Sequence, residues 1–346
     1  MKSIALFNYA KVFICIVSFI FSFSAISADA EEAKQLLERL SKSLRQVNFN
    51  TSFVVVKNNQ AEPYHWLHGV LEEQAGEDQT SESESESEKK TKTIELEILA
   101  LLNGPRRDIL RIDNTVSYIE PEYAPYSISA AQVSGPIPSV FGQDISVLEK
   151  NYHFVSVGKN RILNRAAQLI RIVPKDNHRF SYWLWLDQES GLLLKLAVIT
   201  RQGKLLEQIQ FTHLDITDTI SENLRQLHVT ELPQIIDVTS QQESKELNWQ
   251  VNWLPNGFEP IKSDRHRINN SKQAVEFMLF NDGLVDISVY VNPSKEKQRA
   301  IEFASDGATI VLGQVVNNIE MSGVGKIPPE TAEKIVNSVS FSPSYH

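Results

Sequence analysis

The sequence predicts an α+β protein of two domains, each an antiparallel sheet with helical cover. Three patterns lead there: an apolar stripe of helical period near residue 33, a four-strand meander between 166 and 214, and a hairpin with a closing helix between 275 and 339.

Residues 1–30 read as a signal peptide. Lys2 and Lys11 precede an apolar run from Val12 to Phe23, short for a bilayer span, and small residues follow it. Ala28-Asp29-Ala30 fits the cleavage site, as does a cut directly after Ala28. The only cysteine, Cys15, lies inside this run. The mature chain is therefore expected to lack disulfides, thiol chemistry and cysteine metal sites, and to rest on ordinary hydrophobic cores, for which its length is ample. A cut after Ala28 leaves 32 basic against 43 acidic residues, a formal charge of −11, which speaks against nucleic acid as a partner. No later apolar run reaches the ~18 residues of a membrane helix, so a soluble mature chain is expected.

Residues 31–220 form the expected N-terminal domain. Ala33, Leu36, Leu37, Leu40, Leu44 and Val47 recur at three- and four-residue steps, which puts them on the core-facing side of a helix. Strand-like runs follow, such as Phe53 to Val56 and Ile94 to Leu102. Between these two lies the tract 72–93, with eight acids, three lysines and no aromatic residue. It reads as a disordered acidic loop inserted into a hairpin, because it cannot bury enough surface to order itself.

From Ala166 to Leu214, turns at Pro174-Lys175-Asp176-Asn177, Gln188-Glu189-Ser190-Gly191 and Arg201-Gln202-Gly203 divide four segments, and turns this tight imply antiparallel neighbours. In the second segment Phe180, Tyr182, Leu184 and Leu186 share one face while Trp183 and Trp185 share the other. Both faces should then be covered, by helices in the concavity or by an apolar ligand there. Residues 221–245, where a helix expected around Ser221 to Leu227 leads into Pro233 and a polar stretch from Thr239 to Ser244, read as the linker. The C-terminal domain is expected over 246–341. Alternation through Val275, Phe277 and Leu279, the Asn281-Asp282-Gly283 turn and renewed alternation from Val285 to Val291 predict a hairpin, and Pro328-Pro329-Glu330 opens a helix bearing Ala332, Ile335, Val336 and Val339.

A search for chemistry finds no nucleophile elbow, zinc helix, phosphate-cradling loop or dinucleotide fingerprint, so binding is expected rather than catalysis, without cofactor or metal. His65 and His68 are three apart on a strand and point to opposite faces, where they cannot share a metal. Arg106 and Arg107, after Gly104-Pro105, suit a carboxylate or phosphate partner, or a solvated turn. Trp253 and Phe258, around Leu254-Pro255-Asn256-Gly257, either close a small core or form a partner-binding hot spot. With Trp183 and Trp185, these are the candidate partner- or lipid-binding residues. Exposed hairpin edges leave room for a homo-oligomer.

Several stretches together resemble the MucB/RseB family of periplasmic regulators of the envelope-stress sigma factor. They are Gly104-Pro105-Arg106-Arg107, Tyr118-Ile119-Glu120-Pro121, Tyr152-His153-Phe154-Val155-Ser156-Val157-Gly158, the meander, Trp253 to Phe258, Asn281-Asp282-Gly283-Leu284 and Ile327-Pro328-Pro329-Glu330-Thr331-Ala332. The acidic insertion departs from the family pattern. The resemblance implies an N-terminal unclosed β-barrel with helical cover, similar to the lipoprotein carriers LolA and LolB, joined to a smaller C-terminal domain. It further implies a periplasmic regulator that holds the periplasmic part of the anti-sigma factor RseA, shields it from proteases, and releases it on sensing lipopolysaccharide or another acylated lipid. The anti-sigma peptide is expected in the C-terminal domain and the groove between domains. A lipid or lipoprotein carrier is the competing expectation.

Overall fold

The computed structural model describes residues 29–74, 91–236, 247–267 and 274–342. Helix α1 occupies 29–46, so the signal peptide expected over 1–30 lies outside the described residues except for Asp29 and Ala30, which begin that helix. Eleven strands then follow: β1 (Phe49–Lys57), β2 (Gln60–Gln74), β3 (Thr91–Leu101), β4 (Arg107–Ile112), β5 (Thr115–Ile119), β6 (Tyr126–Ser129), β7 (Tyr152–Ile162), β8 (Arg165–Pro174), β9 (Ser181–Asp187), β10 (Leu193–Ile199) and β11 (Leu205–Ile216). They make one antiparallel sheet in the order β6-β5-β4-β3-β2-β1-β11-β10-β9-β8-β7. Two meanders are thus joined where β1 pairs with β11, from Phe49 opposite Ile216 to Lys57 opposite Glu207. The sheet does not close, since β6 and β7 are its two edges.

Helix α1 fills part of the concavity. Its predicted stripe is the buried one, with Ala33, Leu37 and Leu40 packed among Phe141, Leu148, Leu184 and Leu194 in the main core. Polar side chains fix its position: Ser43 Oγ donates to the Ser190 carbonyl at 2.7 Å and Arg39 Nη1 to the Gln188 carbonyl at 2.9 Å, both in the β9–β10 turn. The β1–β2 turn uses Asn58 and Asn59 with positive φ, which asparagine tolerates and which matches the right-handed twist of the flanking strands.

The convex side of β2–β4 is covered by α2 (Glu222–His228), capped by Ser221, whose side chain accepts from the Leu224 amide. Ile220, Leu224 and Leu227 bury against Leu67, Ile94 and Leu96 as a second core. The helix lies directly on the backbone at Gly69, where an added Cβ would stand 2.8 Å from both Ile220 Cγ2 and Leu224 Cδ1. Gly69→Val is accordingly expected to cost roughly 1–3 kcal/mol through overpacking, read as a lower urea midpoint at unchanged slope. An unchanged midpoint would mean that α2 is free to move away.

The second unit comprises β12 (Trp249–Val251), β13 (Glu259–Arg267), β14 (Ala274–Asn281), β15 (Asp286–Pro293), β16 (Gln298–Asp306), β17 (Thr309–Val316), β18 (Ile319–Gly325), α3 (Pro329–Asn337) and β19 (Val339–Phe341). Six of these strands form an antiparallel sheet in the order β13-β14-β15-β18-β17-β16, while β12 pairs with β19. Helix α3 has proline in its first turn and buries Ala332, Ile335 and Val336, as the sequence predicts, but it ends at Asn337, and Val339, expected on it, begins β19 instead.

Three expectations need correction. The acidic loop does not begin at 72: Glu72, Glu73 and Gln74 pair with Thr93, Lys92 and Thr91, so strand pairing extends three residues further on each side, and the rest of the tract lies outside the described residues. The span 221–245 begins with the expected helix, α2, but that helix packs on the first sheet and the chain continues to an Ile235 bridge with Ser127 on β6, so its first sixteen residues belong to the first domain and not to a linker. Among the described residues, no helix covers the outer face at Trp183 and Trp185. Arg171 lies 4.2 Å over the ring of Trp183 and Lys195 4.9 Å over that of Trp185, so aliphatic stems and cations shield the indoles.

Candidate functional site

Where α1 leaves the concavity open, a cavity of about 530 Å³ remains over β1–β4. Strand alternation brings Phe53, Trp66, Leu99, Glu95, Glu97 and Arg111 to its wall, and the segment around Val133, Ile137 and Gln143 forms its other side. Leu44 and Arg45 of α1 stand at one end. The volume falls in the range of small-molecule sites.

Its floor carries a buried ionic cluster. Arg111 Nε donates to Glu97 Oε1 at 2.7 Å, Nη2 donates to Glu95 Oε2 at 2.6 Å, and Nη1 reaches the carbonyls of Asp113 and Ala131, both at 3.1 Å. Trp66 Nε1 donates to Glu97 Oε2 at 3.0 Å. Burial works against the guanidinium charge, but Glu97 and Glu95 outweigh it and raise the Arg111 pKa. All of the donors of Arg111 named here are directed to protein acceptors. The lining as a whole holds Glu95, Glu97, Asp113 and Asp144 against Arg45 and Arg111, so the cavity favours an apolar chain over a phosphate.

Beside this cluster His68 is fully buried and stacked on Phe49 at 5.0 Å. One ring nitrogen, Nδ1, is 2.8 Å from the Val47 carbonyl and so carries the proton, while Nε2 has no hydrogen-bond partner among the described residues. Burial holds the imidazole pKa below its ordinary value, with Glu97 offsetting only part. The unfolded chain therefore takes up a proton first as the pH falls. Stability is expected to decline below about pH 6.5 and to stop declining once the depressed folded pKa is passed. Urea midpoints measured against pH should show this slope, and His68→Gln should remove it; an identical slope in the variant would assign it elsewhere.

The seam between the two units is the second feature. Asp282, at the β14–β15 turn, is completely buried and accepts from Tyr152 Oη at 2.7 Å and Arg179 Nε at 2.5 Å. Its other oxygen accepts from the amides of Leu284 and Val285 at 3.0 and 2.8 Å. Arg179 also pairs with Asp176, donates to the Asn256 carbonyl, and lies 4.8 Å over the ring of Phe258. Burial first, and then the Asp282 charge, push the Tyr152 pKa well up, so its hydroxyl remains a donor. A second patch joins Glu207 to Lys326 and to the Ala308 amide, with Lys57 2.5 Å from Asp306. The expected peptide groove is thus packed along the line from Asn151 to Phe258.

The sequence-predicted residues do not converge. Arg106 and Arg107 are exposed at the start of β4, where Arg106 pairs with Asp108 at 2.6 Å. Trp183 and Trp185 stand on the outer face of the sheet, away from the cavity. Trp253 lies in the seam, against His178 at 5.0 Å and beneath Lys334 at 3.8 Å. Phe258 is only 7% exposed and closes the seam, so its ring is not part of the outer surface. The cluster of Glu97, Arg111 and His68 was missed as a site. Two acids on one face of β3, at 95 and 97, opposite an arginine on the next strand, were the available signal.

Comparison with known proteins gives matches along nearly all of the chain. The model described as the MucB/RseB N-terminal domain matches residues 32–83 and 78–235, and that of the MucB/RseB C-terminal domain matches 243–340. Among similar proteins, the sigma-E factor regulatory protein RseB of Escherichia coli is 29% identical over 328 residues, covering 94% of this chain and 95% of RseB. The sigma factor AlgU regulatory protein MucB of Pseudomonas aeruginosa is 27% identical over 317 residues, covering 90% and 92%. Among solved structures, the complex of Pseudomonas aeruginosa MucA and MucB contains a chain 26% identical, with a TM-score of 0.68, covering 90% of this chain and 100% of that one. With both domain models matched in order and at their expected places, the chain belongs to the MucB/RseB family.

Proposed function

We propose that this protein is a periplasmic negative regulator of the sigma-E envelope-stress response, acting by binding and not by catalysis. It captures the periplasmic part of an anti-sigma factor of the RseA type, shields it from proteolysis, and releases it when an acylated envelope lipid such as lipopolysaccharide is bound. The observation that carries the reading is the correspondence of fold over a whole MucB chain solved together with MucA. The cavity supports the lipid step: its apolar wall suits an acyl chain, and its acid-rich lining leaves lipid phosphates outside. Release then follows from linkage, lipid favouring a form with weaker affinity for the anti-sigma factor.

Calorimetric titration with the periplasmic segment of the anti-sigma factor from the same organism, with and without lipopolysaccharide, tests this. Binding that the lipid weakens is the expected result. Absence of peptide binding, with lipid bound alone, would transfer support to a lipid or lipoprotein carrier, which the cavity also suits; such a carrier must then move a labelled acylated protein between membranes.

A further inference from the structure

One surface outside the cavity and the seam is built unlike the rest of this acidic chain. On the outer face of β7–β11 and β1, cross-strand registers align Val155, Arg171, Trp183, Ala197, Gln208 and Val56 in one row. Trp185 and Lys195 stand side by side in the next. Neither row contains a carboxylate, in a chain of formal charge −9. The two indoles are 6.3 Å apart, each with a cation over its ring.

Arg171 is the unusual member. Arg111, Arg165 and Arg179 are each held by carboxylates, whereas Arg171 has no ion-pair partner among the described residues, and its Nε is buried without a hydrogen bond. Its charge is thus left without a counter-ion, which an arriving anion would supply. Beside it opens a recess of about 380 Å³, lined also by Lys175, Ser181, Thr200 and Arg201, and by Asp176, whose carboxylate is paired with Arg179.

We propose that this face docks on an anionic lipid bilayer, with a headgroup phosphate seated against Arg171 in the recess and Trp183 and Trp185 lying at headgroup level. An acidic peptide fits less well. Trp183, Trp185 and Lys195 lie on β9 and β10 inside the sheet, where the backbone groups are already paired, so strand addition is open to a peptide only at the free edge of β7 and not over the indoles. Indoles beside cations are the side chains that settle at a membrane–water interface. Val155 and Val157, 37% and 44% exposed on the edge strand β7, extend the contact with apolar surface. The inference does not rest on the proposed regulatory function: the cavity takes no part, and the recess only borders the seam, through Asp176 and Arg179.

The test is flotation of the purified protein with phosphatidylglycerol vesicles and, in parallel, with phosphatidylcholine vesicles. Binding to the first alone is expected, reversed by salt, and weakened on the order of thirtyfold by Arg171→Gln with Lys195→Gln. Equal recovery with both vesicle types, or no loss in the double variant, would overturn the proposal. So would binding of poly-glutamate or inorganic phosphate without any vesicle binding. Circular dichroism checks that the double variant folds. If it does not, Arg201→Gln on the exposed β10–β11 turn and the salt titration of the unmodified protein replace it, and an effect of neither would be equally fatal.

Discussion

Asp282→Ala is expected to destabilise the protein by roughly 3–5 kcal/mol and to loosen the two sheets from each other, because it strips a buried guanidinium of its buried carboxylate. Four donors lose their acceptor at once: Tyr152 Oη, Arg179 Nε and the amides of Leu284 and Val285. A loss of this size is a large fraction of the stability of an ordinary protein. Asp282→Asn should cost less, since an amide oxygen still accepts while the charge alone is lost. Urea unfolding followed by tryptophan emission reads the stability, and small-angle scattering reads the separation of the units. A change below about 1 kcal/mol, as for an exposed pair, would mean that water reaches the seam. The regulatory reading adds a second consequence: if the anti-sigma segment needs both units in this arrangement, Asp282→Ala weakens its capture even under conditions where both sheets remain folded.

The residues of this seam show which features a sequence displays and which it hides. Gly257 is one of them: it has φ of +86°, and an added Cβ would stand 2.1 Å from Asn151 Oδ1, so the Trp253–Phe258 turn needs glycine both for its backbone and for the approach of the first domain. The turn itself was legible, as were the four-strand meander, the β14–β15 hairpin and α3, because each is written in neighbouring residues. Joining Tyr152 to Asp282 needs the fold, for 130 residues separate them. The same holds for β1 with β11, the pairing that turns two meanders into one sheet. Alternation placed Trp183 and Trp185 correctly opposite Tyr182 and Leu184, but could not say that Arg171 and Lys195 would be the cover, since that depends on register with β8 and β10. The acidic tract was read too wide because charge composition marks a region, whereas strand pairing continues until the backbone runs out of partners.

In the cavity the same long-range pairing makes a sharper prediction. Arg111→Met is expected to cost about 3–5 kcal/mol, because the nearly buried Glu97 and the half-buried Glu95 are left facing each other without a counter-charge. Adding Glu97→Leu to Arg111→Met removes most of the uncompensated charge, and a pair of this kind replaced by apolar groups of similar volume is often neutral or stabilising. The double variant is thus expected to be more stable than the single one, a strong non-additivity that a double-mutant cycle in urea reads directly. Simple additivity of the two losses would show that Glu97 and Arg111 do not act on each other. The cycle also separates structure from function. Trading the ion pair for methylene groups lengthens the apolar wall formed by Phe53, Trp66 and Leu99. If the cavity receives an acyl chain, the double variant should therefore hold lipid more tightly and release the anti-sigma segment at lower lipid concentration, whereas unchanged lipid affinity would place the acyl chain elsewhere.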